Sequence, residues 1–283
     1  MLHKKSLGQH FLRSESALQK IVEAARLSPE DTVLEVGPGE GVLTERLLQK
    51  AGKVIAVEKD DRLVPILEHR FRNEIAEGKL TLIHADVLKF SIFNFQFPKK
   101  AYKIVANLPY YITGQFLRKF LQETECSPET MVLLLQKEVA KRIVASDKRE
   151  SILSISVKAY GVPRYVATVK AGAFLPPPKV DSAILAIENI SKEFFASFCH
   201  SHGDGNPEKE QKVLDSRFRG NDIRRAEKCF FELLKKGFAH PRKLLSSNLG
   251  IPASVLLACG IAQTARAENL TPEQWRHLAR NSF

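Results

Sequence analysis

The stretch that decides the fold is "VLEVGPGEGVLTERL", residues 33–47. A short apolar run from Val33 to Val36, interrupted only by Glu35, stops at a glycine-rich turn and resumes with Leu43 and Leu47 at helical spacing. That order reads as a buried strand, a tight turn and an amphipathic helix. Gly37, Gly39 and Gly41 let the backbone approach whatever lies over the turn. Their spacing is G-x-G-x-G, whereas a nicotinamide-binding turn typically reads G-x-G-x-x-G, so a pyrophosphate cradle is not indicated.

Working outward, the same alternation continues. "KVIAVE" (53–58), "LTLIHAD" (80–86), "KIVANL" (103–108) and "TMVLLLQ" (130–136) read as buried strands, and "SALQKIVEAARL" (16–27) and "RLVPILEHRF" (62–71) as helices between them. Short apolar runs separated by amphipathic helices imply right-handed βαβ crossovers and a parallel sheet covered on both faces. The expected fold is therefore α/β and doubly wound, a Rossmann-like arrangement. "SILSISVKAYG" (151–161), "RYVATVK" (164–170) and "SAILAIENI" (182–190) are strand-like, and the sheet is expected to finish with antiparallel strands. After Ile190 the segments become helical, the last opening on Thr271 as cap with Pro272 at the first helical position. The expected domains are 1–190 and a small C-terminal helical domain, 191–283, with a mobile polar insertion at about 197–226.

With 43 Lys and Arg against 32 Asp and Glu in 283 residues, the chain carries +11. Such a balance favours a polyanionic partner, nucleic acid first. No run of 18 apolar residues exists to span a bilayer, and "MLHKKSLGQHFL" has no apolar centre of a signal peptide, so no membrane role and a cytoplasmic location are expected. Cys126, Cys199, Cys229 and Cys259 are scattered without C-x-x-C pairing, so neither disulfides nor a metal site is expected.

Strand ends carry the chemistry. Glu58 closes "KVIAVE", where a carboxylate can accept both ribose hydroxyls of a nucleoside, and Asp86 follows the next strand, where it can accept from an adenine amino group. With the turn at Gly37, these ends meet at the ligand-binding edge of such a sheet. In this the sequence resembles a Rossmann-like class I methyltransferase using S-adenosylmethionine, whose sulfonium brings its own electrophilic methyl.

Asn107 ends the next strand at the same edge, in "NLPYY". An exocyclic amino group of a nucleobase is a poor nucleophile because its lone pair is delocalised into the ring. Two acceptors on its N–H bonds, the Asn107 side-chain oxygen and the Leu108 carbonyl, can hold it and aim the lone pair at the methyl. Pro109 biases Leu108 towards extended backbone and adds no competing donor. Tyr110 offers a stacking face, and Phe174, ahead of a stiff proline run, a second one opposite. Tyr111 gains no such role and is expected to pack beneath the site. The segment belongs to the [Asn/Asp/Ser]-Pro-Pro-Tyr class found in amino-methyltransferases.

Taken together, "LGQHFL", "EVGPGEG", "VEKD", "ADVL", "NLPYYI", "FLPPPKVDSA" and "RAENLTPEQW" closely resemble the bacterial small-subunit ribosomal RNA adenine dimethyltransferase family, everywhere except roughly residues 197–226. The resemblance implies transfer of two methyl groups to N6 of each of two adjacent adenosines near the 3′ end of 16S rRNA, and a role in small-subunit biogenesis. It implies cofactor contacts from His10, Leu12, Gly37, Glu58, Asp86 and Asn107, with S-adenosylmethionine as methyl donor and no metal. The expected partner is rRNA within a pre-30S particle, bound by a monomer, with Arg242 and Lys243 helping the helical domain to dock. Two alternatives share the scaffold: a related family acting on large-subunit rRNA, and a non-catalytic assembly or transcription factor. The intact Glu58, Asp86 and Asn107 argue against the latter.

Overall fold

The computed structural model describes residues 9–89, 102–124, 126–196 and 220–281. The chain divides into two compact units, one made of Met1–Val144 with Gly161–Ile190 and the other of Ala145–Tyr160 with Ser191–Phe283.

The first unit opens with a two-residue strand β1 (Phe11–Leu12) and helix α1 (Glu15–Ala25). α1 starts where the Ser14 hydroxyl accepts the Ala17 N–H, and it buries Leu18, Ile21, Val22 and Ala25 at helical spacing. Then β2 (Thr32–Val36), α2 (Val42–Leu48), β3 (Lys53–Glu58), α3 (Val64–Arg70), α4 (Arg72–Ala76), β4 (Leu80–His84), β5 (Lys103–Asn107), α5 (Thr113–Arg118), β6 (Thr130–Gln136) and α6 (Lys137–Val144) follow. β2 is buried along its whole length, as a parallel strand covered on both faces must be. After α7 (Ile152–Lys158), which belongs to the second unit, come β7 (Val162–Val169), the two-residue β8 (Phe174–Leu175) and β9 (Ser182–Glu188).

Seven strands form one sheet in the order β4-β3-β2-β5-β6-β9-β7. The first five are mutually parallel, and β9 runs antiparallel to both β6 and β7. The chain winds outward from β2 through β3 to β4, then returns to the other side of β2 with β5. That reversal between β2 and β5 is the topological switch point, and the crevice at the carboxyl ends of those strands is where such sheets bind ligands. Gly37 and Asn107 sit there. β1 and β8 form a separate antiparallel pair, Phe11 opposite Leu175 and Leu12 opposite Phe174.

The second unit contains α7, α8 (Glu193–Ala196), α9 (Gly220–Gly237), α10 (Leu245–Leu249), α11 (Ala253–Ala258) and α12 (Pro272–Asn281). Buried Phe195, Phe230 and Trp275 form its centre, and the Tyr160 hydroxyl donates to Glu227 at 3.0 Å. Thr271 caps α12 as expected: its hydroxyl accepts the Gln274 N–H at 3.2 Å, and the Gln274 side chain accepts the Thr271 N–H at 3.0 Å.

Three expectations change. "SILSISVKAYG" forms α7 and not a strand, because Ser151 and Ser154 cap it reciprocally and its buried residues, Ser154, Ile155 and Val157, fall at helical spacing. Residues 145–160 group with the second unit, so the organisation is not a single cut at 190. Of the expected insertion, residues 220–226 are the first turns of α9, and the part from 197 to 219 lies outside the described residues. Among the described residues no helix is long and apolar enough to cross a membrane, and no cluster of three His, Cys, Asp or Glu could hold a metal ion.

Gly237 ends α9 against Trp275: a Cβ there would lie 2.2 Å from the buried indole ring. Gly237→Ala is expected to lower stability by about 1–3 kcal/mol through overpacking, measured as an earlier urea midpoint with an unchanged slope.

Candidate active site

An open cleft of about 980 Å³, counted out to its mouth, lies at the carboxyl ends of the parallel strands. Gly37 and Gly39 come to it from the turn after β2, Glu58 from the end of β3, Asp86 from beyond β4, and Asn107 to Tyr111 from the end of β5. His10 and Phe174 complete it from the β1 and β8 side. Of the residues to which the sequence assigns a cofactor or base contact, only Leu12 lies off this cleft. It is buried beside it, in an adjoining recess shared with Phe11, Gly37, Gly39 and Asn107.

The turn is built for close approach. Gly39 has φ +61, in the left-handed region, and a Cβ on it would sit 2.9 Å from the Phe11 ring. Its N–H donates to the Glu58 Oε2 at 3.1 Å, while Glu58 Oε1 accepts the N–H groups of Lys59 and Asp60, each at 2.8 Å. Glu58 thus holds the turn in place and keeps a lone pair for a hydroxyl, since two carboxylate oxygens offer about four acceptor sites. Burial raises its pKa, and the three N–H groups oppose that rise. Asp86 is set differently. Burial pushes its carboxyl up, but the Lys59 ammonium at 2.9 Å and the Leu88 N–H at 3.0 Å outweigh this and hold it below the usual carboxylate range. Both acids present acceptors at the sheet edge that suit an adenosine moiety, Glu58 one site for a hydroxyl and Asp86 one for an amino group.

Asn107 is oriented by the amino-terminal segment. Its Nδ2 donates to the His10 carbonyl at 3.0 Å, which leaves Oδ1 as the acceptor on the other arm of the amide. The Leu108 N–H is committed to the Leu134 carbonyl at 3.1 Å, whereas no described residue donates to the Leu108 carbonyl. Pro109 sits at φ −56, ψ 130, then Tyr110–Ile112 form one 3₁₀ turn. The Tyr110 hydroxyl shares a hydrogen with Ser182 Oγ at 2.8 Å, and its ring stacks with His10 at 6.0 Å between centroids. Phe174 is only 4% exposed, part of the cleft wall. Tyr111 departs from expectation: it does not pack beneath the site but stands 61% exposed at the cleft.

Sequence reasoning gave no role to Phe11, Ser182 or Lys59, whose partners Gly39, Tyr110 and Asp86 are distant in the chain. Nor does the sequence reveal the tie of Gln9 to Asp60, a 2.8 Å bond that anchors the chain just ahead of β1.

Fold and cleft together define an S-adenosylmethionine-dependent methyltransferase of the Rossmann-like class. Residues 1–198 match the family described as "Ribosomal RNA adenine dimethylase". A Dehalococcoides mccartyi protein named Ribosomal RNA small subunit methyltransferase A is 43% identical over 283 residues, spanning 97% of this chain and 87% of its own length. The protein of that name from Clostridium botulinum is 32% identical over 277 residues, 97% of this chain and 92% of the other. The chain belongs to the ribosomal RNA adenine dimethylase family. Among solved structures, a dimethyladenosine transferase from Plasmodium falciparum superposes with TM-score 0.72 at 26% identity, over 95% of this chain and 96% of that one. The 23S rRNA methyltransferase ErmE does so with TM-score 0.69 at 25% identity, over 96% and 100%.

Under the turn, Glu35 is buried in β2 with neither carboxylate oxygen meeting a hydrogen-bond donor. Burial pushes its pKa from an ordinary 4.5 up to about 8, and the nearby Glu58 carboxylate adds to the rise. A raised acid pKa means that the folded state holds the proton more tightly, so the contribution of this group to stability is fully present below 4.5 and is lost as pH rises from there to about 8. Glu35→Gln is expected to flatten that fall, so that the variant gains on the parent progressively from about pH 5 to pH 8 and keeps the gain above it, in thermal midpoints taken from pH 5 to 9.

Proposed function

We propose that this chain transfers methyl groups from S-adenosylmethionine to N6 of two adjacent adenosines near the 3′ end of small-subunit rRNA, within a pre-30S particle in the cytoplasm. The observation that carries this reading is the amide of Asn107 with its donor arm committed to His10 and its acceptor arm free beside the Leu108 carbonyl. Two neutral acceptors suit an amino group, which has two N–H bonds to give and must keep its lone pair free. Relatives named for the small subunit, one of them 43% identical, favour that particle over the large one.

When bound, S-adenosylmethionine supplies the electrophilic methyl. Gly37 and Gly39 admit the cofactor against the backbone, Glu58 takes ribose hydroxyls, Asp86 an adenine amino group, and Leu12 and His10 close the amino-terminal side. On the substrate side Asn107 Oδ1 and the Leu108 carbonyl hold the target N6, with Pro109 fixing the carbonyl's direction. Tyr110 supports the extruded base through its ring, held by Ser182. Phe174 forms the opposing wall, and a base between the two has left its stack. Positioning of this kind can lower a barrier substantially without any acid or base. The helical unit contributes exposed Arg242 and Lys243 to RNA docking.

Asn107→Ala is expected to reduce turnover by about 10²-fold or more, the scale seen when one oriented polar group is removed from a reacting centre, while particle binding persists. Labelled cofactor incubated with small-subunit particles lacking the modification, or with bare large-subunit rRNA, tests the target. Label in dimethyladenosine of the small subunit is the expected result; label in the large subunit alone would overturn it.

A further inference from the structure

Tyr111 has no part in the chemistry above, and its setting is unusual for a tyrosine of a core motif. It follows Tyr110 on the 3₁₀ turn, where three residues complete a turn and successive side chains point about 120° apart. Tyr110 turns to Ser182 and His10, Ile112 into the core, and Tyr111 outward, 61% exposed, along the same cleft. The turn is firm. Pro109 sets its start, the Ile112 N–H bonds to the Pro109 carbonyl at 3.2 Å, and the Thr113 hydroxyl bonds to the Tyr110 carbonyl at 3.1 Å. No hydrogen bond or ring contact to a described residue engages Tyr111 itself.

An exposed ring on a rigid turn is a ready stacking face, because little entropy is lost when a flat partner covers it. Its surroundings favour a nucleotide. The Lys59 ammonium, 2.9 Å from Asp86, lines the same cleft as Tyr111. An aromatic face and a cation lining one groove are the combination with which proteins hold single-stranded nucleic acid, ring to base and ammonium to phosphate. Adjacent residues are 3.8 Å apart at Cα, so rings diverging from Tyr110 and Tyr111 suit neighbouring nucleotides of a splayed strand.

We propose that Tyr111 is a second base-binding position: its ring stacks on the base next to the adenosine held at Asn107, so that the site selects a pair of nucleotides and not a lone adenosine. This rests on the adenosine-pair target assigned above. The reaction itself is unchanged; Tyr111 is a positioning and specificity residue.

The test is a cycle between ring and base. Small-subunit particles are assembled with a synthetic 3′ rRNA segment carrying either the intact adenosine pair or one adenosine beside an abasic position, and kcat and KM are measured with labelled cofactor. For the unaltered protein, removing the neighbouring base is expected to lower kcat/KM roughly 5- to 150-fold, the range that loss of one base–aromatic stack carries. Tyr111→Ala should lose about as much on the intact pair, and little more on the abasic substrate. Tyr111→Phe and Tyr111→Trp should stay within about 3-fold of the parent, and Tyr111→Leu should behave like alanine. Thermal midpoints of all variants should match the parent, because the side chain is exposed.

Tyr111→Ala within 2-fold of the parent on the intact pair, or an abasic penalty as large in the variant as in the parent, would overturn the stacking role while leaving the target assignment standing. If the unaltered protein labels neither adenosine of the intact pair, the target assignment fails and this proposal falls with it.

Discussion

One hydrogen bond organises the cleft: Asn107 Nδ2 to the His10 carbonyl, 3.0 Å long, between residues 97 apart in sequence. A primary amide has a donor end and an acceptor end, and committing the donor decides where the acceptor points. That commitment depends on the amino-terminal segment being held. β1 pairs with β8, the Arg13 N–H extends the pairing to the Ala173 carbonyl at 2.8 Å, and Gln9 is tied to Asp60. The His10 ring adds a bond to the Pro176 carbonyl at 2.8 Å. The same short ribbon therefore borders the cleft twice, at the glycine turn through Phe11 and Gly39 and at the opposite strand through Phe174. Disturbing either strand changes both halves of the site.

Three acids near the turn show how position divides their work. Glu58 is buried but meets three backbone N–H groups, so it can remain an acceptor while bracing the glycine turn. Asp86 sits nearer solvent with a cation, which favours its charged form. Glu35 lies one layer deeper and finds no donor, and desolvation dominates. Its carboxyl is a polar group in an apolar strand, and its neutral form is the one that the strand tolerates.

Much of this was legible in the order of residues, because parallel strands buried on both faces announce themselves as unbroken apolar runs, and their carboxyl ends must converge. Gly37, Glu58, Asp86 and Asn107 were thus placed by periodicity and topology alone. Phe11 was not, since its contact with Gly39 needs the ribbon to fold back across the sheet edge. Tyr111 was misplaced because adjacency to Tyr110 says nothing of direction until the 3₁₀ turn is known. In 151–158 the alternating apolar and polar pattern suggested a strand, and reciprocal serine caps with packing on the second unit's helices decided for α7. The local pattern was ambiguous, and tertiary burial chose.

The chain crosses between its two units at 144/145, 160/161 and 190/191. The strand β7 thus follows a helix whose own partners come from the far end of the sequence: the Glu150 N–H bonds to the Glu268 carbonyl at 2.9 Å, and Tyr160 reaches Glu227 and Phe195. Each unit is consequently a domain in space but not a segment of chain. A gene cut after residue 190 would leave residues 145–160 in the middle of the sheet-forming half without the partners of Glu150 and Tyr160. Modular exchange of the helical unit between relatives would have to carry residues 145–160 with it.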